Sequence, residues 1–192
     1  RVSDNHPGKA TTPDGLMSTN KDFTEMRKLD LLHISIHGLI RGEQMELGRD
    51  PDTGGQCLYA LELVKALAKD KRIRRVSLLT RRVFDPKLSN DYAEAREILD
   101  DNADIIRIEA GPRRYLRKEI VWRHLDAFID GTLAYLRREK RVPDLIHAHY
   151  ADAGYVGRQI AAVLGCPFVF TGHSLGRVKR QSLVEGGVDP AE

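Results

Sequence analysis

From about Leu29 onward, the chain alternates short apolar runs with longer segments whose apolar residues recur at helical spacing. The apolar runs predict five strands, at 31–36, 76–80, 105–108, 145–148 and 168–171. Strands that alternate with helices of ten or more residues indicate a parallel sheet covered on both faces.

The segments between the predicted strands indicate helices. Residues 54–69 carry one apolar stripe, formed by Cys57, Leu61, Val64 and Ala68. Thr53 and Gln56, three positions apart at its start, predict a capping box. Further helices are predicted at 92–99, 118–139, 154–164 and 178–184.

The pattern predicts one α/β domain over residues 29–192, a single doubly wound Rossmann-like unit with a parallel sheet. Residues 1–28 begin with polar and turn-forming residues and predict a flexible tail. Arg1 is not a natural start, so we expect the chain to be a fragment of a longer protein.

Composition narrows the classes of protein. Hydrophobic residues make up 41% and charged residues 31%, which permits a core. The net charge of +3 comes from scattered basic pairs and aromatics are only 6%, so nucleic-acid binding is not expected. Cys57 and Cys166 are far apart, which favours a reducing compartment without a disulfide. With no membrane-spanning run and no secretory signal, we expect a cytoplasmic protein that does not bind a membrane.

Polar residues and glycines follow the predicted strands, and ligands of such sheets bind beyond the carboxyl ends of the strands. These residues are His37 and Gly38, Arg81 and Arg82, Arg113 and Arg114, His149 and Tyr150, and His173 and Ser174. The sequence therefore predicts a ligand site at this rim.

Gly54 and Gly55 open a predicted helix, where free amides attract phosphate and the missing side chains let a ligand approach. An ordinary glycine-containing helix start explains the pair equally well. It is not the G-x-G-x-x-G pattern, so a dinucleotide cofactor is not expected.

Two patterns raise the question of a metal. Asp50 and Asp52 flank Pro51, which we interpret as a turn and not as a metal motif. His147 and His149 share one face of a strand, and a zinc site would need a third ligand such as His173. We expect no metal, with at least one of His147 and His149 hydrogen-bonded within the domain instead. His173, held at a strand end beside Gly172, is the histidine for which we favour a function.

Three blocks resemble the sucrose-phosphate synthase family. They are H-G-L-I-R-G-E at 37–43 with M-E-L-G-R-D-P-D-T-G-G-Q at 45–56, H-Y-A-D-A-G at 149–154, and T-G-H-S-L-G-R at 171–177. The resemblance implies a retaining transfer of glucose from UDP-glucose to fructose 6-phosphate, with the nucleotide sugar as co-substrate and no tightly bound cofactor. It also implies the amino-terminal half of a GT-B fold, so the partner would be a carboxyl-terminal donor domain that this chain lacks.

The resemblance also implies roles for individual residues. His173 would lie near the transferred glucose, and Gly54 and Gly55 would approach the donor diphosphate. The acceptor would be bound by Gln56, Lys118, Tyr150, Ser174 and Lys179. The match is loosest around Lys118.

Two alternatives stay open. One is an enzyme like sucrose synthase, which uses free fructose, and the other is a non-catalytic module that binds sugar phosphates. Without a second half, we expect the isolated chain to be inactive.

Overall fold

The computed structural model describes residues 27–174 and residue 185. Its six strands are β1 Leu29–Ile34, β2 Ile73–Arg81, β3 Arg96–Asp100, β4 Ala103–Ile108, β5 Leu145–His149 and β6 Phe168–Thr171. They form one sheet in the order β3-β4-β2-β1-β5-β6. Every neighbouring pair is parallel except β3 and β4. The predicted α/β class is confirmed, with an antiparallel edge strand added.

The α-helices are α1 Gly55–Ala68, α2 Lys118–Val121, α3 Leu125–Arg138 and α4 Ala151–Leu164. Two short 3-10 helices lie at Asn90–Ala93 and Trp122–His124. No helix in the described part of the chain is long and apolar enough to cross a membrane.

One face of the sheet packs against α1. The buried side chains of α1 are Cys57, Ala60, Leu61 and Val64. They meet Leu31, Val76, Leu78 and Ile105 from three neighbouring strands. Residues at alternate positions of a strand point to one face, so this layer follows from the period of the pattern.

The opposite face packs against α3 and α4. Phe128 of α3 and Val156 and Ile160 of α4 are fully buried against it. The strand residues of this layer include Leu32, Ile34, Leu79, Ile106 and Ile146. Helices on both faces make the domain doubly wound, as predicted.

The helix predicted at 118–139 is interrupted. His124, the last residue of the 3-10 helix, leaves the helical region of backbone conformation at φ −121° and ψ 8° just before α3. The ring of His124 lies against Gly111, where an added Cβ would stand 2.4 Å from the ring. Tertiary packing here overrides an apolar pattern that favoured one long helix.

The helix predicted at 92–99 is wrong. Its first two residues end the 3-10 helix Asn90–Ala93, and from Arg96 the segment forms β3, which turns through residues 101–102 and pairs with β4. Arg96 reaches Asp104, and Glu97 pairs with Arg107, across the two strands. A two-residue turn between two short runs is a hairpin signal, and these cross-strand pairs outweigh the local helical spacing.

The predicted capping box is also wrong. The residue before α1 is Gly54, which is extended, and no side chain caps the helix. Thr53 instead donates its hydroxyl to Asp50 and accepts the amide of Leu39 at 3.0 Å. Gln56 turns toward Ser35.

Both cysteines are free, as predicted, with Cys57 buried and Cys166 half-buried. The tail predicted at 1–28 lies outside the described residues except for its last two positions. The helix predicted at 178–184 and the candidate residue Lys179 also lie outside them.

Candidate functional site

The chain leaves β1 through Gly38, at a position that only glycine can occupy. Gly38 has a φ of +81°, and an added Cβ would stand 2.5 Å from the sulfur of Cys57 and 2.6 Å from the carbonyl oxygen of Asp52. This approach brings the loop that precedes α1 back over the carboxyl end of β1. Gly38 is therefore structural.

Asp50 holds the turn of that loop. Its carboxylate accepts the amides of Asp52 and Thr53, each at 2.9 Å, and the hydroxyl of Tyr115 at 2.7 Å. The interpretation of residues 50–52 as a turn is confirmed, because the carboxylate of Asp50 accepts backbone amides of its own loop.

Asp52 fixes Lys118 at the rim. The ammonium of Lys118 lies 2.6 Å from Oδ1 of Asp52, and the amide of Lys118 donates to Oδ2 at 2.9 Å. Burial alone would raise the pKa of Asp52, but these bonds outweigh it and lower that pKa. The hydrogen bond that the ammonium of Lys118 donates to Asp52 raises the pKa of Lys118. Lys118 is thus held as a cation beside the start of α1.

The start of α1 is open. A Cβ added at Gly54 or Gly55 meets nothing within 4 Å, in contrast to Gly38. The fold therefore does not demand glycine at these two positions, whereas a ligand lying close to the backbone would. Gln56, next along the helix, donates its amide to the hydroxyl of Ser35 at 3.1 Å, so its carboxamide sits over the end of β1.

Tyr150 joins β5 to α4 in a strained conformation. Its φ is +76°, in a region that residues with a side chain rarely adopt, and its amide donates to the carbonyl of Thr171 at 2.9 Å. Its ring lies edge-on to His37 at 4.7 Å between centroids. His37 in turn pairs with the buried Asp152 at 2.7 Å.

His173 follows β6 and is exposed, with a φ of +54°. Its Nε2 lies 3.1 Å from Nδ1 of His149, and its ring lies 5.2 Å from that of Tyr59. Partial burial, and then the charge of His37, lower the pKa of His173. Ser174 is exposed beside it, and its amide donates to the carbonyl of Gly172.

A row of histidines continues beneath His173. Nε2 of His149 lies 3.2 Å from Nδ1 of His33, and Nε2 of His147 lies 2.7 Å from the hydroxyl of Thr171. Burial lowers the pKa of His33 and of His149, and the neighbouring imidazoles lower both further. The prediction that at least one of His147 and His149 is hydrogen-bonded within the domain is confirmed, and both are.

Contacts link these residues into one rim. Asp52 connects Lys118 to the start of α1, Ser35 connects Gln56 to β1, and Tyr59 connects α1 to His173. Among the described residues, four residues other than glycine have a positive φ. Two of these four, Tyr150 and His173, lie at the rim. Strain of this kind costs about 1–3 kcal/mol and collects at functional sites.

Sequence reasoning placed His37 at the rim but missed its pairing with Asp152, and it did not single out His33 beneath the rim. The pairing of His37 with Asp152 spans 115 positions. The available signal was the spacing of His33 and His37 around the end of β1, together with an acidic residue in the first turn of α4.

A family model described as glycosyl transferase 4-like domain matches residues 54–191. The chain is similar to sucrose-phosphate synthase 4 of Arabidopsis thaliana, with 42% identity over 189 residues, which is 88% of this chain and 18% of the relative. It is 41% identical over 191 residues to a probable sucrose-phosphate synthase 1 of Oryza sativa subsp. indica, again covering 18% of that relative.

Among solved structures, sucrose-phosphate synthase from Thermosynechococcus elongatus matches with a TM-score of 0.66 and 29% identity. The match covers 80% of this chain and 35% of that one. The chain thus spans less than a fifth of the length of the curated relatives it matches, and about a third of the solved one.

Proposed function

Since the chain belongs to the glycosyl transferase 4-like domain family, we propose that it forms the acceptor-binding half of a retaining glucosyltransferase. The enzyme transfers glucose from UDP-glucose to fructose 6-phosphate and yields sucrose 6-phosphate and UDP. The observation that carries this proposal is the linked rim, whose residues from Gly54 to Ser174 fall inside the family match at 54–191.

Lys118 supplies the cation for the acceptor phosphate in this proposal. Its side chain is 21% exposed, and an ammonium has three hydrogen-bond donors, so pairing with Asp52 at 2.6 Å and with Glu119 at 3.3 Å leaves one donor for a phosphate oxygen. Gln56, Tyr150 and Ser174 surround the sugar. Lys179 is assigned to the same phosphate as Lys118. This assignment rests only on the resemblance of its segment, because Lys179 lies outside the described residues.

Gly54 and Gly55 receive the donor diphosphate. The open space beside them and the unpaired amides of a helix start favour an anion there. UDP-glucose itself is held chiefly by a second α/β half, which is the partner that this function requires. No tightly bound cofactor enters the proposal.

The partners of three carboxylates at the rim are relevant to the mechanism of glucosyl transfer. Asp50 holds its own turn, Asp52 is paired with Lys118, and Asp152 is paired with His37. None of these three is placed as a free nucleophile, which favours a transfer in which the departing phosphate takes the acceptor proton on the same face. His173 then orients the glucosyl group as positive charge develops on its ring.

Calorimetry on the isolated chain tests the acceptor. We expect fructose 6-phosphate to bind and free fructose to bind much more weakly, with no turnover when UDP-glucose is added. Lys118→Ala should weaken fructose 6-phosphate binding by roughly 10–100-fold, the scale of one hydrogen bond to a charged group. The affinity for fructose should not change, because fructose has no phosphate.

Lys69→Ala is the matched control, since Lys69 is an exposed lysine at the far end of α1. Equal binding of fructose and fructose 6-phosphate would favour the enzyme that uses free fructose. Binding of fructose 6-phosphate that Lys118→Ala leaves intact would remove Lys118 from the acceptor site. Turnover by the chain alone would show that it needs no second half.

A further inference from the structure

Three imidazoles converge on the α1 face of the sheet, below the rim. His33 of β1 and His147 of β5 are partners in the ladder between these strands, and His149 lies two positions further along β5 on the same face. One nitrogen from each ring lies within 4.8 Å of the others. His33 is 2% exposed and His149 is fully buried.

The distances suit a small metal ion. Nδ1 of His33 and Nε2 of His149 are 3.2 Å apart. Two nitrogens bound to zinc at about 2.0–2.1 Å in a tetrahedron lie about 3.4 Å apart, so these two atoms need almost no movement. The ring of His147, with its centroid 4.3 Å from that of His149, needs a modest shift to bring in the third nitrogen.

The outer partners of two of the rings are already in place. A histidine that binds a metal through one nitrogen usually donates its other N–H to a fixed acceptor. His149 would keep Nδ1 to donate to Nε2 of His173 at 3.1 Å, and His147 would keep Nε2 to donate to the hydroxyl of Thr171 at 2.7 Å.

We propose that His33, His147 and His149 form a three-histidine site for one zinc ion. His33 binds through Nδ1, His149 through Nε2 and His147 through Nδ1, and the fourth position is taken by water. Neutral imidazoles suit zinc, and three of them with one open position are a known zinc arrangement. His147 is only half-buried, which gives the ion a path from solvent.

The ion would tie β1 to β5 at the base of the rim. It would also fix the proton of His149 on Nδ1, so that His173 accepts a hydrogen bond through Nε2 and presents Nδ1–H outward. The site does not depend on the proposed glucosyl transfer, since its ligands lie beneath the rim and none of them is among the residues proposed to bind a substrate.

The test uses the 192-residue chain and zinc alone. After dialysis against micromolar buffered zinc, elemental mass spectrometry should find one ion per chain. Cobalt in its place should give the visible absorption of a tetrahedral site. His33→Ala and His147→Ala should each weaken zinc binding by more than the roughly 10–100-fold typical of an outer partner. Thr171→Val, which removes such a partner, should weaken it about tenfold.

His124→Ala is the control, because His124 packs beside Gly111, away from the cluster. Nitrogen NMR of the rings gives a second measurement on the unaltered chain, in which zinc should shift Nε2 of His149 and leave Nδ1 protonated. The proposal is overturned if no zinc is retained, or if His33→Ala retains it while folded. Unshifted ring nitrogens in the presence of zinc would overturn it as well, leaving His33 and His149 joined by a direct hydrogen bond.

Discussion

His173→Ala is expected to lower kcat on the order of 10²-fold or more, the scale of losing one preorganised contact to a transition state. The side chain is exposed at the rim, and its Nε2 is engaged by His149, which leaves Nδ1 for a ligand. In a retaining transfer, positive charge grows on the glucose ring, and a neutral imidazole that holds a ring hydroxyl contributes most as the ring flattens.

The measurement is steady-state kinetics in a protein that joins this chain to a donor-binding half. Calorimetry should find the affinity for fructose 6-phosphate little altered, and the melting temperature should fall only slightly. His173→Asn is a useful second variant, because asparagine tolerates the positive φ of this position but lacks the imidazole. Near-normal turnover by a variant that unfolds readily would make His173 a structural residue.

Arg141→Ala is expected to lower the free energy of unfolding by about 3–5 kcal/mol, the cost of leaving one partner of a buried ion pair alone. Arg141 follows α3 and donates to both carboxylate oxygens of Asp30, with Nε at 2.9 Å and 3.1 Å. It also donates to the hydroxyl of Ser77 at 2.8 Å. Asp30 is 1% exposed, so its charge cannot recover solvation when the guanidinium is removed.

Urea unfolding followed by circular dichroism measures this change. Arg74→Ala is the matched control, because Arg74 reaches the same carboxylate at 3.1 Å but its side chain is 62% exposed, and its loss should cost at most about 1 kcal/mol. Replacing both partners, as Arg141→Met with Asp30→Leu, should restore much of the stability. A loss below that of Arg74→Ala would show that the buried pair contributes little.

Local pattern was sufficient for most of the secondary structure. The strand predicted at 168–171 matches β6, and the helix predicted at 54–69 matches α1 within one residue at each end. The apolar stripe of α1 matches its buried residues, whereas β6 is an edge strand in which Val169 and Phe170 are exposed. The prediction for 92–99 failed because the period of this segment fitted a helix, and its pairing with β4, itself predicted as a strand at 105–108, was not recognised.

For the candidate site as well, the sequence indicated some features and only the structure revealed the others. Gly54, Gly55 and His173 were found from their positions after strands and from the resemblance of their segments, and the structure places all three at the rim. The pairings of Lys118 with Asp52, of His37 with Asp152 and of His33 with His149 were not found. Each joins residues 66, 115 or 116 positions apart.

The sequence by itself determined the fold class, the layers of the core and the end of the sheet where the candidate site residues collect. These follow from periodicities of 2 and 3.6 residues and from the direction of parallel strands, which are local properties. Tertiary structure alone decided which side chains meet. The register between β1 and β5 sets His33 beside His147, and a shift of one residue would send His33 to the opposite face.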